Sequence, residues 1–307
     1  MTTTCPAESH KRLSAEIGLV GVVLIWGANF SLTKATIAEI PPLVFTAARF
    51  AVASIILLVL LRLLEPGIKT PTKEFRTLAL IGFIGNTIYQ PGFILGLHNT
   101  TATNSAVIIG SLPGVVALLA WAFKIERVSR VTALGIGVGL AGVVLVVTAH
   151  GIGFGSATLL GDLLTIGAVL CWAAYTLGLR RVHRSVSPLR VTTITTAMGT
   201  PGLVAIGLPQ AVDVDWAFVP PLAYVGLAYA SLLSLILAYF LYNTGVARVG
   251  PSRASVFSCL IPLIGLAIAW VFLGEVPVPL QILGAVLVVG GVWMTRINAS
   301  SPTPSTN

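Results

Sequence analysis

The segment SAVIIGSLPGVVALLAWAFKIE at residues 105–126 recurs, 149 positions later and without an insertion, as ASVFSCLIPLIGLAIAWVFLGE at residues 254–275. The positions of the first segment that are identical in the second are Val107, Pro113, Ala120, Trp121, Phe123 and Glu126. A further match lies upstream, where VLIWGA at residues 23–28 resembles VLCWAA at residues 169–174, 146 positions later. Self-similarity on this scale predicts a duplicated chain whose two halves share one fold.

The composition indicates whether the protein folds in water or in a lipid bilayer. Hydrophobic residues make up 56% of the 307 residues and charged residues only 9%, whereas a soluble domain carries about 25% charge. Ten apolar stretches are each long enough to cross about 30 Å of hydrocarbon. They are residues 16–37, 42–62, 75–97, 103–123, 131–149, 158–180, 189–208, 219–243, 252–273 and 279–296. The predicted fold class is therefore an all-α integral membrane protein with ten transmembrane helices, in two five-helix repeats.

The charges predict how the repeats are oriented. If the amino terminus is cytoplasmic, the Lys and Arg residues fall in inner segments or at the inner ends of spans, apart from Lys34 and Arg49, which lie deeper within spans. This bias places both termini in the cytoplasm, and it explains the net charge of +8 without a nucleic-acid partner. Because each half has an odd number of helices, the second half must be inverted.

The predicted domain organisation follows from the repeat. Residues 1–15 form a cytoplasmic amino-terminal segment and residues 297–307 a disordered cytoplasmic tail rich in Ser, Thr and Pro. Residues 16–149 form the first repeat and residues 158–296 the second.

Polar and aromatic side chains inside the spans are the candidates for a substrate cavity, because burying them in lipid is costly. Asn86, Tyr89 and Gln90 are spaced at i, i+3 and i+4, which places them on one face of a helix. The predicted cavity residues are Trp26, Asn29, Asn86, Tyr89, Gln90, Trp172, Tyr175, Tyr239, Tyr242 and Asn243. The alternative for each is a structural role in interhelical packing or hydrogen bonding.

Two further side chains have two interpretations each. Arg49 either holds a substrate carboxylate or ties loops together at the outer rim by binding backbone carbonyls. His98, at the end of the third span, is either a rim contact or proton site, or a structural residue.

Helix breakers and glycines suggest which spans move. Pro91, Pro113 and Pro262 interrupt spans and are predicted hinges, with simple kinks as the alternative. The fifth and tenth spans are rich in glycine, which suits close packing of helices. These two spans are the predicted scaffold.

Several functions are disfavoured by what is absent. There is no nucleotide-binding or catalytic motif and no clustered metal ligand in the sequence, so we expect neither an enzyme nor a cofactor. No Asp or Glu lies at the centre of any span. An exporter of cationic drugs usually needs a membrane-embedded carboxylate, and a neutral or zwitterionic substrate therefore fits better.

The chain resembles the drug/metabolite transporter superfamily with two EamA repeats, over about residues 16–296. The resemblance rests on IWGANF at 25–30, ARF at 48–50, GDLL at 161–164 and the repeated Pro-to-Glu segments. Within the family it is most similar to bacterial amino-acid exporters of the YddG type. The resemblance implies inverted repeats around a central cavity, export by alternating access, and structural roles for Glu126 and Glu275.

These observations predict an exporter in the bacterial inner membrane that acts on amino acids, above all aromatic and other apolar or neutral ones. Its partners would be the small-molecule substrate and the lipid bilayer, and it would function as a monomer. One alternative is an exporter of drugs, nucleosides or other metabolites. The other is a membrane sensor or scaffold that binds a ligand without transporting it.

Overall fold

The computed structural model describes residues 6–123, 130–149, 157–179, 182, 185–249, 257 and 260–297, and these residues contain helices but no strand. The first repeat holds α1 (Pro6–Thr36), α2 (Pro42–Leu64), α3 (Thr72–Gly82, Phe83–Ile88 and Tyr89–Asn99), α4 (Ala102–Gly110 and Leu112–Ala122) and α5 (Arg130–Thr148). The second repeat holds α6 (Ala157–Leu179), α7 (Pro188–Ala211), α8 (Pro221–Ala228, Tyr229–Leu237 and Ala238–Val249), α9 (Ile261–Leu273) and α10 (Pro279–Ile297).

The ends of several helices follow local sequence signals. The Thr101 side chain accepts a hydrogen bond from the amide of Asn104 at the start of α4, and Ser187 does the same for the amide of Arg190 at the start of α7. Helix α9 ends at Gly274, whose φ of +67° is accessible to glycine but strained for other residues. The short connections between helices are thus defined by capping residues.

Seven of the described helices are long and apolar enough to cross a membrane, whereas α5, α9 and α10 contribute shorter apolar segments. The all-helical, multi-pass fold class is therefore confirmed, while the count of ten spans stays a prediction. The boundaries differ in places. The span expected at 219–243 continues in α8 to Val249, and most of residues 252–259, assigned to the ninth span, lie outside the described residues.

Hydrogen bonds at one end of the bundle show that the repeats are inverted. Lys34, near the carboxyl end of α1, donates to the carbonyls of Leu97 (2.7 Å) and His98 (3.2 Å) at the carboxyl end of α3, and to that of Thr100. The Thr100 hydroxyl in turn donates to Asp162 near the amino end of α6, at 2.7 Å. The carboxyl end of α1 and the amino end of α6 thus lie on the same side, so these equivalent helices run in opposite directions.

The opposite end of the bundle gives the same result. Arg190, in the first turn of α7, pairs with Glu65 directly after the carboxyl end of α2, with 3.0 Å between guanidinium and carboxylate. Helix packing is also symmetric, because α2 packs on α7, α4 on α9 and α5 on α10, each helix against its counterpart. The α3–α6 packing is matched by that of α8 on α1.

Helices α5 and α10 touch through their backbones. A Cβ atom added at Gly142 would lie 2.6 Å from the carbonyl oxygen of Gly284, and one added at Gly291 would lie 2.5 Å from that of Gly135. Only glycine permits such an approach. Gly137, in the same glycine-rich stretch, faces open space and takes no part in the contact.

Candidate functional site

A cavity with about 670 Å³ of empty space, including its open mouth, lies between the two repeats. Its wall consists of Trp26, Asn29, Phe30, Arg49, Tyr89, Gln90, Phe93, Ile109, Leu112, Val169, Trp172, Ser234, Leu235, Tyr239 and Ile261. Both repeats contribute to it, and no lining residue within the described ranges comes from α5, α7 or α10.

Aromatic rings from both repeats meet at the centre of this wall. The Trp26 and Trp172 rings, from equivalent helices, lie 6.0 Å apart at an interplanar angle of 85°. Tyr239 contacts both of them, at centroid distances of 5.8 and 5.3 Å, and Tyr89 lies 5.1 Å from Trp172. Because equivalent residues touch, the pseudo-two-fold axis that relates the repeats passes through this cluster.

Arg49 is the charged group of the cavity wall. Its side chain is only 2% exposed, and its Nη2 donates to Gln90 Oε1 at 2.5 Å. The guanidinium lies 5.1 Å from the centroid of Phe45 and 5.7 Å from that of Phe50. Its Nε has no hydrogen-bond partner, and no carboxylate among the described residues pairs with it. A buried charge without a counterion is unfavourable, so this arrangement suits an anionic ligand.

Gln90 links the arginine to the second repeat. While its Oε1 accepts from Arg49, its Nε2 donates to the hydroxyl of Tyr239 at 3.5 Å, at the long end of the range for a hydrogen bond. Gln90 and Tyr239 are 149 positions apart, the offset of the repeated segments. The polar group of the cavity therefore also lies close to the pseudo-two-fold axis.

The predicted cavity residues divide into two groups. Those that line the cavity are Trp26, Asn29, Tyr89, Gln90, Trp172 and Tyr239. Arg49, for which the sequence left open a carboxylate contact or a role at the rim, lines it as well. Behind this wall, Tyr175 stacks on Trp172 at 4.8 Å and Tyr242 lies 5.4 Å from Trp26. Asn243 donates instead to the hydroxyl of Thr192 in α7, at 2.7 Å.

Asn86 does not share the cavity face of Tyr89 and Gln90. Its amide donates to the carbonyl of Thr195 in α7 at 2.8 Å. The physical reason is that Phe83–Ile88 is π-helical, which shifts side chains away from the i, i+3, i+4 pattern of an α-helix. Asn86 therefore connects α3 to α7 at a distance from the cavity lining.

The second repeat contains a π-helical segment at the equivalent place. Tyr229–Leu237 in α8 overlaps the position of Phe83–Ile88 when the 149-residue offset is applied. Within this segment the carbonyl of Ser234 accepts a hydrogen bond from Trp26 Nε1 at 3.1 Å, and the Tyr229 hydroxyl donates to the carbonyl of Ile25 at 2.9 Å. Such segments occur often at functional sites, and both of these lie beside the cavity.

Two of the predicted hinge prolines, Pro91 and Pro113, lie next to an irregularity of their helix, and Pro262 lies at the start of a helix. Tyr89, Gln90 and Pro91 are the three residues that follow the π-helical segment of α3. Pro113 and Pro262 each lie in the first turn of a helical segment, Leu112–Ala122 in α4 and Ile261–Leu273 in α9. Their role as hinges stays a prediction.

Polar contacts surround the ends of α3 and α6, away from the cavity. Asp162 is fully buried and accepts hydrogen bonds from the Thr100 hydroxyl and, at 3.2 Å, from the Asn104 side chain. Gln281 in α10 donates to Asn104 Oδ1 at 2.6 Å. His98 is exposed near this end and does not line the cavity.

Glu275 has a structural partner. Its carboxylate accepts hydrogen bonds at 3.1 Å from the backbone amides of Ala102 and Thr103, the first residues of α4. A carboxylate at the start of a helix accepts hydrogen bonds from amides that have no partner within the helix. Its negative charge also interacts favourably with the positive end of the helix dipole. The equivalent Glu126 lies outside the described residues.

Sequence reasoning missed two aromatic residues of the wall. Phe30 and Phe93 follow Trp26 and Tyr89 by four positions, and the Tyr89 and Phe93 rings stack at 5.8 Å. The helical period alone was enough to find both. Ser234, a polar residue of the eighth predicted span, lines the cavity from the π-helical part of α8.

Two inverted helical repeats around a cavity define the class of secondary transporters. The profile of the EamA-like transporter family matches residues 13–148 and 159–297, and the chain belongs to this family. It is thus a multi-pass membrane transporter and not an enzyme. No cluster of three or more potential metal-binding side chains occurs in the part of the chain that the structure describes.

Similar proteins are also described as transporters. The uncharacterized transporter YyaM of Bacillus subtilis (strain 168) is 30% identical over 92% of this chain and 93% of its own length. A protein of Streptantibioticus cattleyicolor named "probable terminal-alkyne amino-acid exporter" is 25% identical over 90% and 91% of the two chains. A solved crystal structure, 18% identical, matches the fold with a TM-score of 0.66 and covers 92% of this chain and 96% of that chain.

Proposed function

We propose that the protein exports amino acids across the bacterial inner membrane, with aromatic and other apolar or neutral amino acids as its preferred substrates. The observation that carries the proposal is the cavity wall, where the guanidinium of Arg49, which no carboxylate among the described residues neutralises, shares one surface with Trp and Tyr rings. A carboxylate complements the guanidinium, and an apolar or aromatic side chain complements the rings. The amino-acid substrate of the Streptantibioticus relative supports the same substrate class.

Transport would proceed by alternating access. All ten helices would cross the membrane with both termini in the cytoplasm, and the protein would function as a monomer. Helices α5 and α10, in backbone contact and outside the cavity wall, would form the scaffold against which the other helices move. The wall draws on both inverted repeats, as expected for a site that opens to either side in turn.

The test is uptake of a mixed amino-acid pool into proteoliposomes that contain the purified protein, with and without a pH gradient. We expect selective movement of Trp, Phe, Tyr or Met, and the gradient shows whether protons are coupled. Tyr89→Ala should slow this movement at least about fivefold, since loss of a ring contact in the wall is worth about 1 kcal/mol or more. Tyr224→Ala is the matched control, because Tyr224 is exposed and outside the wall.

Two results would contradict the proposal. If the protein moves toxic dyes or nucleosides but no amino acid, it is a drug or metabolite exporter. If it binds a ligand and moves nothing, it is a sensor or scaffold.

A further inference from the structure

The cavity wall interacts differently with the carboxylate and with the ammonium group of an amino acid. Arg49 is the single charged side chain of the wall among the described residues, and no Asp or Glu lines it. The described acidic residues near the bundle lie at its ends, where Asp162, Glu65 and Glu275 have partners of their own. A carboxylate therefore meets a full positive charge inside the cavity, whereas an ammonium group meets none of the opposite sign.

The guanidinium is arranged to receive a second ligand. Gln90 occupies Nη2 through its amide oxygen, and Nε remains a buried donor without a partner among the described residues. An arginine binds a carboxylate best through two parallel N–H groups, and an amide oxygen, which carries only a partial charge, is a weaker acceptor than a carboxylate oxygen. The Phe45 and Phe50 rings, whose centroids lie 5.1 and 5.7 Å from the guanidinium, pack against the side chain without neutralising it.

For an ammonium group the wall offers only neutral acceptors. Asn29 Oδ1 is buried without a hydrogen-bond partner, and the rings of Trp26 and Trp172 can contribute cation–π contacts. The positive charge of Arg49 in the same cavity opposes these contacts, since like charges repel more strongly in a medium of low dielectric constant.

We infer that the cavity selects its substrate by the carboxylate, bound to Arg49, and is indifferent to the α-ammonium group. The substrate class is thus monoanionic carboxylates with an apolar or aromatic tail, which includes deaminated acids as well as amino acids. The inference deepens the proposed function, because it takes the same cavity as the transport site.

Three ligands that share a phenyl ring test it. Phenylalanine carries both charges, 3-phenylpropanoate lacks the ammonium group, and 2-phenylethylamine lacks the carboxylate. Binding is measured by titration calorimetry with the full-length protein in lipid nanodiscs. We expect the two carboxylates to bind within about fivefold of each other and the amine about 10- to 150-fold more weakly, because a hydrogen bond to a charged group contributes about 1.5–3 kcal/mol.

Two variants connect the selectivity to Arg49. Arg49→Gln should abolish the preference for carboxylates. Gln90→Glu supplies an internal counterion 2.5 Å from the guanidinium, so it keeps the buried arginine satisfied while it competes with the ligand. It should weaken both carboxylates at least about tenfold and leave the amine no weaker. Arg248→Gln, which removes an exposed arginine bonded to Ser14, is the charge-matched control and should change nothing.

The inference is overturned if folded wild-type protein binds the amine as tightly as 3-phenylpropanoate, if it binds neither carboxylate, or if Gln90→Glu leaves carboxylate binding unchanged. The failure of the proposed function looks different. In that case the carboxylates bind through Arg49 and 3-phenylpropanoate enters proteoliposomes, but no amino acid does.

Discussion

Alanine substitution of two adjacent glycines of α10 tests whether α5 and α10 are in backbone contact. A Cβ atom at Gly291 would lie 2.5 Å from both the carbonyl oxygen of Gly135 and the amide nitrogen of Gly139, whereas one at Gly290 meets no atom within 4 Å. Ordinary contact begins at 3.4 Å, so Gly291→Ala must separate the two helices by about 0.9 Å. Neither contact atom can rotate away, because both belong to the backbone.

We expect Gly291→Ala to lower the free energy of unfolding by about 1–3 kcal/mol, the usual cost of overpacking. Gly290→Ala should be neutral or stabilise by up to about 1 kcal/mol, because alanine is the better helix former and nothing obstructs it. The two neighbouring variants should therefore differ in sign.

Reversible unfolding in mixed micelles of dodecyl maltoside and SDS, followed by circular dichroism, measures both variants against the wild type. Equal stability of Gly291→Ala and Gly290→Ala would refute the backbone contact between α5 and α10. It would also remove the argument that these helices form a rigid scaffold.

Three further predictions concern other contacts. Glu65→Gln should lower the free energy of unfolding by about 1–3 kcal/mol, because it leaves the guanidinium of Arg190 without its carboxylate at 3.0 Å; an additive double-mutant cycle with Arg190→Gln would contradict this. Glu275→Ala should lower it by about 0.5–2 kcal/mol and speed hydrogen exchange at the amides of Ala102 and Thr103; unchanged exchange would exclude the cap. Trp172→Ala should lower it by about 3–5 kcal/mol, since the ring contacts several others; wild-type stability would show that the cluster is loosely packed.

Helical spacing correctly predicted cavity-lining residues in the α-helical part of α3, and it failed in the π-helical part of the same helix. Tyr89 and Gln90 line the cavity, and both follow the end of the π-helical segment of α3. Asn86 lies inside that segment and binds Thr195 instead. A π-helical turn depends on the neighbouring helices against which it packs, so the spacing of residues within α3 did not reveal it.

Lys34 and Arg49 show a similar limit of prediction from sequence. The sequence left open whether Arg49 binds a ligand or ties carbonyls together at the outer rim. In the structure Arg49 lies in the cavity wall, and Lys34 binds the carbonyls at the end of α3. Depth along a span can be estimated from sequence, but the direction of a long side chain depends on which neighbouring helices offer it acceptors.

The amino-acid sequence by itself determined that the protein lies in lipid, that it is helical and duplicated, and to which family it belongs. These properties depend on composition and on patterns that can be read along the linear sequence. The apolar runs match the lipid thickness, and the repeated Pro-to-Glu segments relate the two halves. Only the tertiary structure decided that Trp26 and Trp172 touch, that Gln90 joins Arg49 to Tyr239, and that no carboxylate among the described residues pairs with Arg49. These contacts join residues from different helices, and their geometry is set by how the two inverted repeats pack against each other.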